Sequence, residues 1–338
     1  MKKIYFYLPS GTINEATKYY CDLLRSGMES AGYVVDLISS SKEIERNEAV
    51  LVIRPTDSTG LSNRNLFTWF QGIGPEEYKM LHNNLRGTLF KKYLEWKEKR
   101  TLKKSVVCFM VSEKMLNFYE RKYRLKLRHK SIIIPCYNKH LDSSSFLDPI
   151  KYDNPSFVYA GAMYEWQCID ETLKIFKHIE GKIPNATLTL LTSQKDVAEK
   201  LIRKNKIKNA LVDFEPLETL QTRLKEFKYG FLLRKNDVVN NVATPTKMNS
   251  YLAAGIIPIY TDVVDAFEKN IHLKEYELKF NLESQSYNAI AERIVEFDKH
   301  IVNKENFADI VGAVFNHFYN DSDNIELIRR KMNNLSLN

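Results

Sequence analysis

Short apolar runs alternate with amphipathic helical stretches almost from end to end of this 338-residue chain, and the pattern is laid down twice. In the first half the apolar runs fall at 4–8, 34–39, 50–54, 66–70, 106–111 and 131–135. Helical spacing covers 15–31, 76–104 and 113–123. In the second half the runs at 157–159, 187–191, 211–214, 231–233 and 257–260 alternate with helical stretches at 169–179, 197–204, 217–227 and 247–254. Two further helices close the chain, at 287–300 and 308–332. Several runs are apolar on both faces, such as Ile132-Ile133-Ile134 and Val106-Val107. A strand with two apolar faces must be covered on both sides, which calls for parallel sheets flanked by helices. Between the halves, residues 139–155 (KHLDSSSFLDPIKYDNP) have no periodicity and read as a linker. The expected architecture is α/β, with two Rossmann-like domains of parallel strands and an active site in the cleft between them. The domains are expected at 1–146 and 147–305, with 306–338 a C-terminal helix packing back toward the first. No short fixed period is present, which excludes a solenoid.

The length fits about two domains of ~150 residues. An apolar content of 44% is too high for a disordered chain. No apolar run approaches the ~20 residues of a membrane span. Met1-Lys2-Lys3 and the apolar residues after it loosely imitate a signal peptide, but Pro9-Ser10-Gly11 ends the run early, and a first strand is expected instead. Cys21, Cys108, Cys136 and Cys168 are far apart and have no metal-ligand spacing. They are expected to be reduced core thiols of a cytoplasmic protein.

The net charge of +8 is unevenly spread. Residues 1–146 carry 25 Lys and Arg against 15 Asp and Glu, and the excess concentrates in 86–130, with 15 against 4. Within 86–105 and 121–130 aromatic and leucine residues interleave with the cations. That pattern suits either a solvated amphipathic helix or docking on an anionic membrane surface. Nucleic-acid binding is not expected, because no RRM, KH or helix-turn-helix signature accompanies the charge.

Three loops could carry chemistry. Pro9-Ser10-Gly11-Thr12 lies between the first strand and helix and is either a plain connection or a turn whose N–H groups face a ligand, which makes Gly11 and Thr12 acceptor-site candidates. It is neither a dinucleotide fingerprint nor a P-loop. Trp69-Phe70-Gln71-Gly72-Ile73-Gly74-Pro75-Glu76-Glu77 opens a helix with proline and two acids in its first turn. Either this is helix-start chemistry alone, or Gln71 and Gly72 hold an acceptor that Glu76 or Glu77 deprotonates. The third loop lies between the run ending at Arg234-Lys235 and a helix holding Lys247. Two cations at a strand's carboxyl end and a helix N-terminus suit a diphosphate without a metal. Asn240, Asn241 and Thr244 are candidates for further donor contacts from that loop.

The stretch PTKMNSYLAAGIIPI resembles the donor-site signature of GT-B glycosyltransferases, and the segment from Phe157 through Gly161 to Asp170 resembles the turn opening that family's second domain. The WFQGIGPEE loop is similar to one in bacterial surface-polysaccharide enzymes of the type. The resemblance implies a metal-independent hexosyltransferase that needs no cofactor. It implies transfer of a sugar from a nucleoside diphosphate sugar to a saccharide or lipid-linked saccharide in surface polysaccharide synthesis, and the basic stretch 86–130 suits such a cytoplasmic enzyme lying peripherally on the inner face of the membrane. Arg234 and Lys247 would stabilise the leaving diphosphate, with Lys235 and Gly161 beside it. The family's ribose-gripping Glu is replaced by Ser250, so ribose recognition would pass to Ser250 and Asn249. Places that often hold Arg and Lys carry Met163 and Gln167 instead. Two other readings stay open: a sugar-nucleotide epimerase or hydrolase on the same fold, and a non-catalytic membrane- or RNA-binding protein.

Overall fold

The computed structural model describes residues 2–13, 15–63, 65–148 and 150–335. They form two compact units. The first runs to Asn138 and takes in Asn241–Thr244 and the chain from Asn320 onward; the second comprises Lys139–Asn240 and Pro245–Tyr319.

The first unit contains β1 (Lys2–Tyr7), α1 (Glu15–Ser30), β2 (Tyr33–Ile38), β3 (Ala49–Val52), β4 (Asn65–Phe70), α2 (Gly74–Leu81), α3 (Leu85–Lys104), β5 (Ser105–Met110), α4 (Glu113–Tyr123) and β6 (Ser131–Ile133). Among the described residues its sheet has six strands in the order β2-β1-β3-β4-β5-β6, all paired in parallel. The central strand β4 is buried at every position, and Trp69 stacks on Tyr20 of α1 at 3.7 Å between ring centroids. The helix expected over 76–104 is two helices. Asn84 caps α3 by accepting from the Gly87 N–H at 2.7 Å, and a Cβ on Gly87 would lie 1.9 Å from the His82 carbonyl oxygen. Glycine is therefore what lets the chain fold back so tightly at the break.

The second unit contains β7 (Ser156–Ala160), α5 (Ile169–Glu180), β8 (Thr187–Leu191), α6 (Lys195–Asn205), β9 (Ala210–Asp213), α7 (Leu217–Leu224) and β10 (Tyr229–Leu232). After the short α8 (Val238–Val242) come α9 (Thr246–Ala253), β11 (Ile257–Thr261), α10 (Asp265–Asn270), β12 (Leu278–Phe280), α11 (Tyr287–Asp298) and α12 (Lys304–His317). Its described sheet also has six parallel strands, ordered β12-β11-β10-β7-β8-β9. Counted from β7 this is the 3-2-1-4-5-6 order of dinucleotide-binding sheets, with the reversal between β7 and β10. β12, α8 and α10 are elements the sequence pattern did not announce. Gly230 of β10 lets Tyr251 of α9 press against the strand, since a Cβ there would fall 2.7 Å from the tyrosine ring.

Residues 139–155 are packed into the second unit, not left as a loose linker. Lys151 is 3% exposed and donates to the carbonyls of Ser145 and Ala254, while Tyr152 donates to Gly255. Burial lowers the Lys151 amine to about 7. Pro149 lies outside the described residues.

The helix expected over 308–332 is likewise two. α12 ends at His317, and Asn320 caps a separate α13 (Asp321–Asn333) by accepting from Ser322 and Asp323. α13 belongs to the first unit and lies along α1. Gly27 makes room for Ile328, and Tyr19 donates to the Asp321 carboxylate at 2.8 Å.

Candidate active site

In an open parallel sheet, ligands bind beyond the carboxyl ends of the strands where the strand order reverses. In the second unit that point lies between β7 and β10, whose register pairs Tyr229 with Phe157 and Gly230 with Val158. The residues leaving these two strands are Gly161 and Arg234, so both expected donor residues meet at the reversal.

Gly161 has φ +143°, a conformation rare for residues with a side chain, and donates its N–H to Leu191 at 2.9 Å. Arg234 is 6% exposed. Its backbone exchanges hydrogen bonds with the Thr261 hydroxyl, and Nη1 donates to the Trp166 carbonyl at 3.3 Å. Its Nε is buried with no hydrogen-bond partner. Burial opposes the charge, yet a guanidinium stays protonated. A buried donor that the protein leaves unpaired is costly unless a ligand completes it.

Lys247, at the start of α9, brings its ammonium to the same place. It donates to Gln167 Oε1 at 3.0 Å and sits 4.0 Å from the Tyr159 ring centroid; a Cβ on Gly161 would lie 3.0 Å from its Nζ. Lys247 is half-buried, and desolvation lowers its pKa well below the usual lysine value, with the neighbouring Arg234 adding to this. Two cations held against each other by the fold favour an incoming anion. Lys235 points toward α5, 3.3 Å from Glu171 and 3.7 Å from Glu165. With Arg234, Glu171, Asn281 and Tyr287 it lines a cavity of about 340 Å³.

Several expected donor residues serve the chain instead. Asn240 donates to Asp237 at 2.7 Å and to the Lys235 carbonyl at 3.0 Å, which shapes the loop without facing it. Asn249 is fully buried, and its amide both accepts from the Lys139 N–H and donates to its carbonyl, so it is not available to a ribose. Thr244 accepts from the Cys136 N–H at 2.9 Å, and both Thr244 and Asn241 belong to the first unit. Ser250 is half-buried on α9, and its carbonyl accepts from Gln221 Nε2.

In the first unit a cavity of about 500 Å³ opens beyond β3 and β4, lined in part by Ile53, Gln71, Gly72, Glu77, Tyr78, Phe90 and Glu98. Gln71 donates to the Ile53 carbonyl at 2.8 Å, which fixes the turn. The two glutamates separate here. Glu77 lines the cavity and accepts from the Ile73 N–H at 3.1 Å, whereas Glu76 is tied by Lys122 at 2.9 Å and Lys91 at 3.2 Å and does not line it. Gly11, at φ +77°, and Thr12, which donates to Pro9, form the β1–α1 turn and are not among the lining residues. Sequence reasoning missed Glu98. Its signal was its place on the buried face of α3, four residues after Leu94 and four before Leu102.

No protein-family model and no curated protein sequence matches the chain. Solved structures do. S. aureus TarM, in a complex of a mutant with fondaparinux, alpha-GlcNAc-glycerol and UDP, superposes with a TM-score of 0.63 at 12% identity over 87% of this chain. The match takes in 57% of the TarM chain, so this chain spans little more than half of that protein's length. Sucrose-phosphate synthase from Thermosynechococcus elongatus gives 0.65 at 13% identity, over 93% of this chain and 95% of its own. A glycosyltransferase from Rickettsia africae gives 0.60 at 12% identity, over 98% and 96%. The fold is that of the GT-B glycosyltransferases, two Rossmann-like units each with a parallel sheet.

Proposed function

We propose that the protein is a glycosyltransferase that moves a sugar from a nucleoside diphosphate sugar to a saccharide. The observation that carries this reading is the pair Arg234–Lys247 at the strand-order reversal, Arg234 buried with Nε left unpaired and Lys247 half-buried beside it. The diphosphate would pair with both side chains and favour the charged form of Lys247, which burial and Arg234 oppose. As the glycosidic bond breaks, negative charge grows on the departing phosphate, and the cations offset it where it develops. This gives the reaction its charge stabilisation without a metal or cofactor. The acceptor would occupy the first unit's cavity, whose aromatic and aliphatic wall suits a sugar ring, with Glu77 placed to take the acceptor's proton.

The test is a thermal-shift screen of the purified chain against UDP, GDP, ADP, CMP, dTDP and their common sugars. UDP comes first because it accompanies TarM and the pneumococcal O-GlcNAc transferase GtfA in solved complexes. A nucleotide at a hundred times its Kd adds ~2.7 kcal/mol of stability. Lys247→Ala is expected to weaken that nucleotide by ~1.5–3 kcal/mol. A folded sample that responds to no nucleotide would sink the donor site, and unchanged affinity in Lys247→Ala would remove Lys247 from it. Nucleotide binding with turnover but no transfer would favour an epimerase or hydrolase.

The finer reading, a lipid-linked acceptor in surface polysaccharide synthesis at a membrane, is supported by α3. Leu85, Leu89, Tyr93 and Trp96 form one exposed stripe, at 83%, 65%, 45% and 56% exposure. Lys97 lies 4.5 Å from the Tyr93 ring and Arg100 5.7 Å from the Trp96 ring. Apolar residues fringed by cations match an anionic bilayer surface, where each cation adds ~1 kcal/mol. No helix among the described residues is long and apolar enough to cross a membrane. The chain is expected to co-sediment with phosphatidylserine vesicles, to be released by salt, and to lose binding in Leu89→Asp/Trp96→Asp. Recovery in the supernatant at low salt would exclude the docking face.

A further inference from the structure

Glu98 has no part in the donor and acceptor assignments, yet it stands in the wall of the first unit's cavity. It is 2% exposed, and its two oxygens meet two phenols. Tyr123 donates to Oε2 at 2.6 Å, and the Tyr119 hydroxyl lies 3.1 Å from Oε1. That same Tyr119 hydroxyl lies 2.9 Å from the Gly72 carbonyl oxygen. A phenol has one hydrogen to give. With Glu98 ionised, Oε1 and the Gly72 carbonyl compete for it. With Glu98 protonated on Oε1, the carboxyl donates to Tyr119, Tyr119 donates to Gly72, and every group is satisfied. We propose that Glu98 is a positioning residue whose proton, relayed through Tyr119, fixes the Gln71–Gly72 turn at the cavity.

The surrounding charges place the proton there. Lys122 reaches Glu76 at 2.9 Å, Glu95 at 3.3 Å and Glu98 at 3.4 Å, while Lys91 reaches Glu76 at 3.2 Å and Glu95 at 3.5 Å. Three carboxylates thus share two ammonium groups, and the most buried of the three is the one farthest from Lys122. Lys99 faces the ring of Tyr123 at 5.9 Å, and Glu77 Oε1 lies close over Gly72. Burial lifts the Glu98 carboxyl from 4.5 to about 7, and Glu76 pushes the same way, against the pull of Lys122, Tyr123 and Tyr119. The relay is therefore intact below about pH 7 and lost above it. Because the unfolded chain releases this proton near 4.5, the stability Glu98 contributes falls as pH rises between those values.

The role given to the turn rests on the acceptor-site reading, but the relay can be tested without any acceptor. Amide hydrogen exchange across residues 71–77 is followed in the full chain from pH 5.5 to 8.5, with intrinsic rates divided out. Exchange is expected to quicken about tenfold with a midpoint near pH 7, the worth of one hydrogen bond. Glu98→Gln, whose amide donates to Tyr119 as the protonated acid does, should stay protected throughout. Tyr119→Phe should exchange fast at every pH. A flat wild-type profile overturns the relay, as does a pH step that persists in Glu98→Gln or, should that variant not fold, in Tyr119→Phe. If the step is present but no saccharide ever engages this cavity, the acceptor assignment fails and the relay stands.

Discussion

Replacing Arg234 by methionine is expected to weaken nucleotide binding by roughly one to two orders of magnitude while leaving the unliganded protein at least as stable. The two effects have one origin. Arg234 is a 6% exposed cation whose Nε has no partner. An unsatisfied buried donor costs roughly 1–3 kcal/mol, and an apolar replacement of similar volume relieves that cost. A diphosphate, however, would complete the guanidinium with charge-assisted bonds worth about 1.5–3 kcal/mol, so its loss should weaken the nucleotide about 10- to 150-fold. Titration calorimetry of wild type and Arg234→Met reads the affinity, and melting in the absence of ligand reads the stability. A lower melting temperature together with unchanged affinity would make Arg234 a structural residue and move the donor site elsewhere.

The second large effect is expected from Gly230→Val, which touches no ligand. A Cβ at this position would stand 2.7 Å from the Tyr251 ring and 2.9 Å from Ile256, both fully buried. Overpacking of this kind costs roughly 1–3 kcal/mol, and a branched residue belongs at the upper end. For a unit of this size about 3 kcal/mol lowers the melting temperature by roughly 6–12 °C. The clash falls on α9, the helix that carries Lys247, so nucleotide affinity should fall with stability. Gly181→Ala is the control, because a Cβ there meets its neighbours at an ordinary 3.6 Å. Equal melting temperatures for Gly230→Val and wild type would mean that α9 and β10 do not pack as described.

The two parallel sheets and the Arg234–Lys247 pair were legible in the sequence because local signals carry them. Doubly apolar runs must be covered on both faces, and a strand end and the following helix start in such a sheet bring their side chains, here Arg234 and Lys247, close together. What stayed hidden depends on distant partners. Asn249 and Thr244 look like site residues because polar groups at a helix start serve ligand and backbone equally well. Only the fold reveals that Lys139 and Cys136 claim them. Glu98 lies within a basic stretch whose charge pattern points outward, to solvent or an anionic surface, although its spacing puts it on the inner face. β12 is three residues long, too short for any period to register. The breaks at Asn84 and Asn320 were written locally, as Asn caps inside long helical patterns.

The placement of α13 also has a consequence for synthesis. The first unit's last helix is encoded after about 180 residues of mostly second-unit chain. At roughly 5–20 residues per second, a ribosome spends about ten to forty seconds on that stretch. During that interval α1 has no partner for the face around Gly27, and Tyr33 has no Met332 carbonyl to donate to. All of the second unit is thus encoded before α13, while the first unit waits, its α1 surface open to chaperones, for α13 to close it.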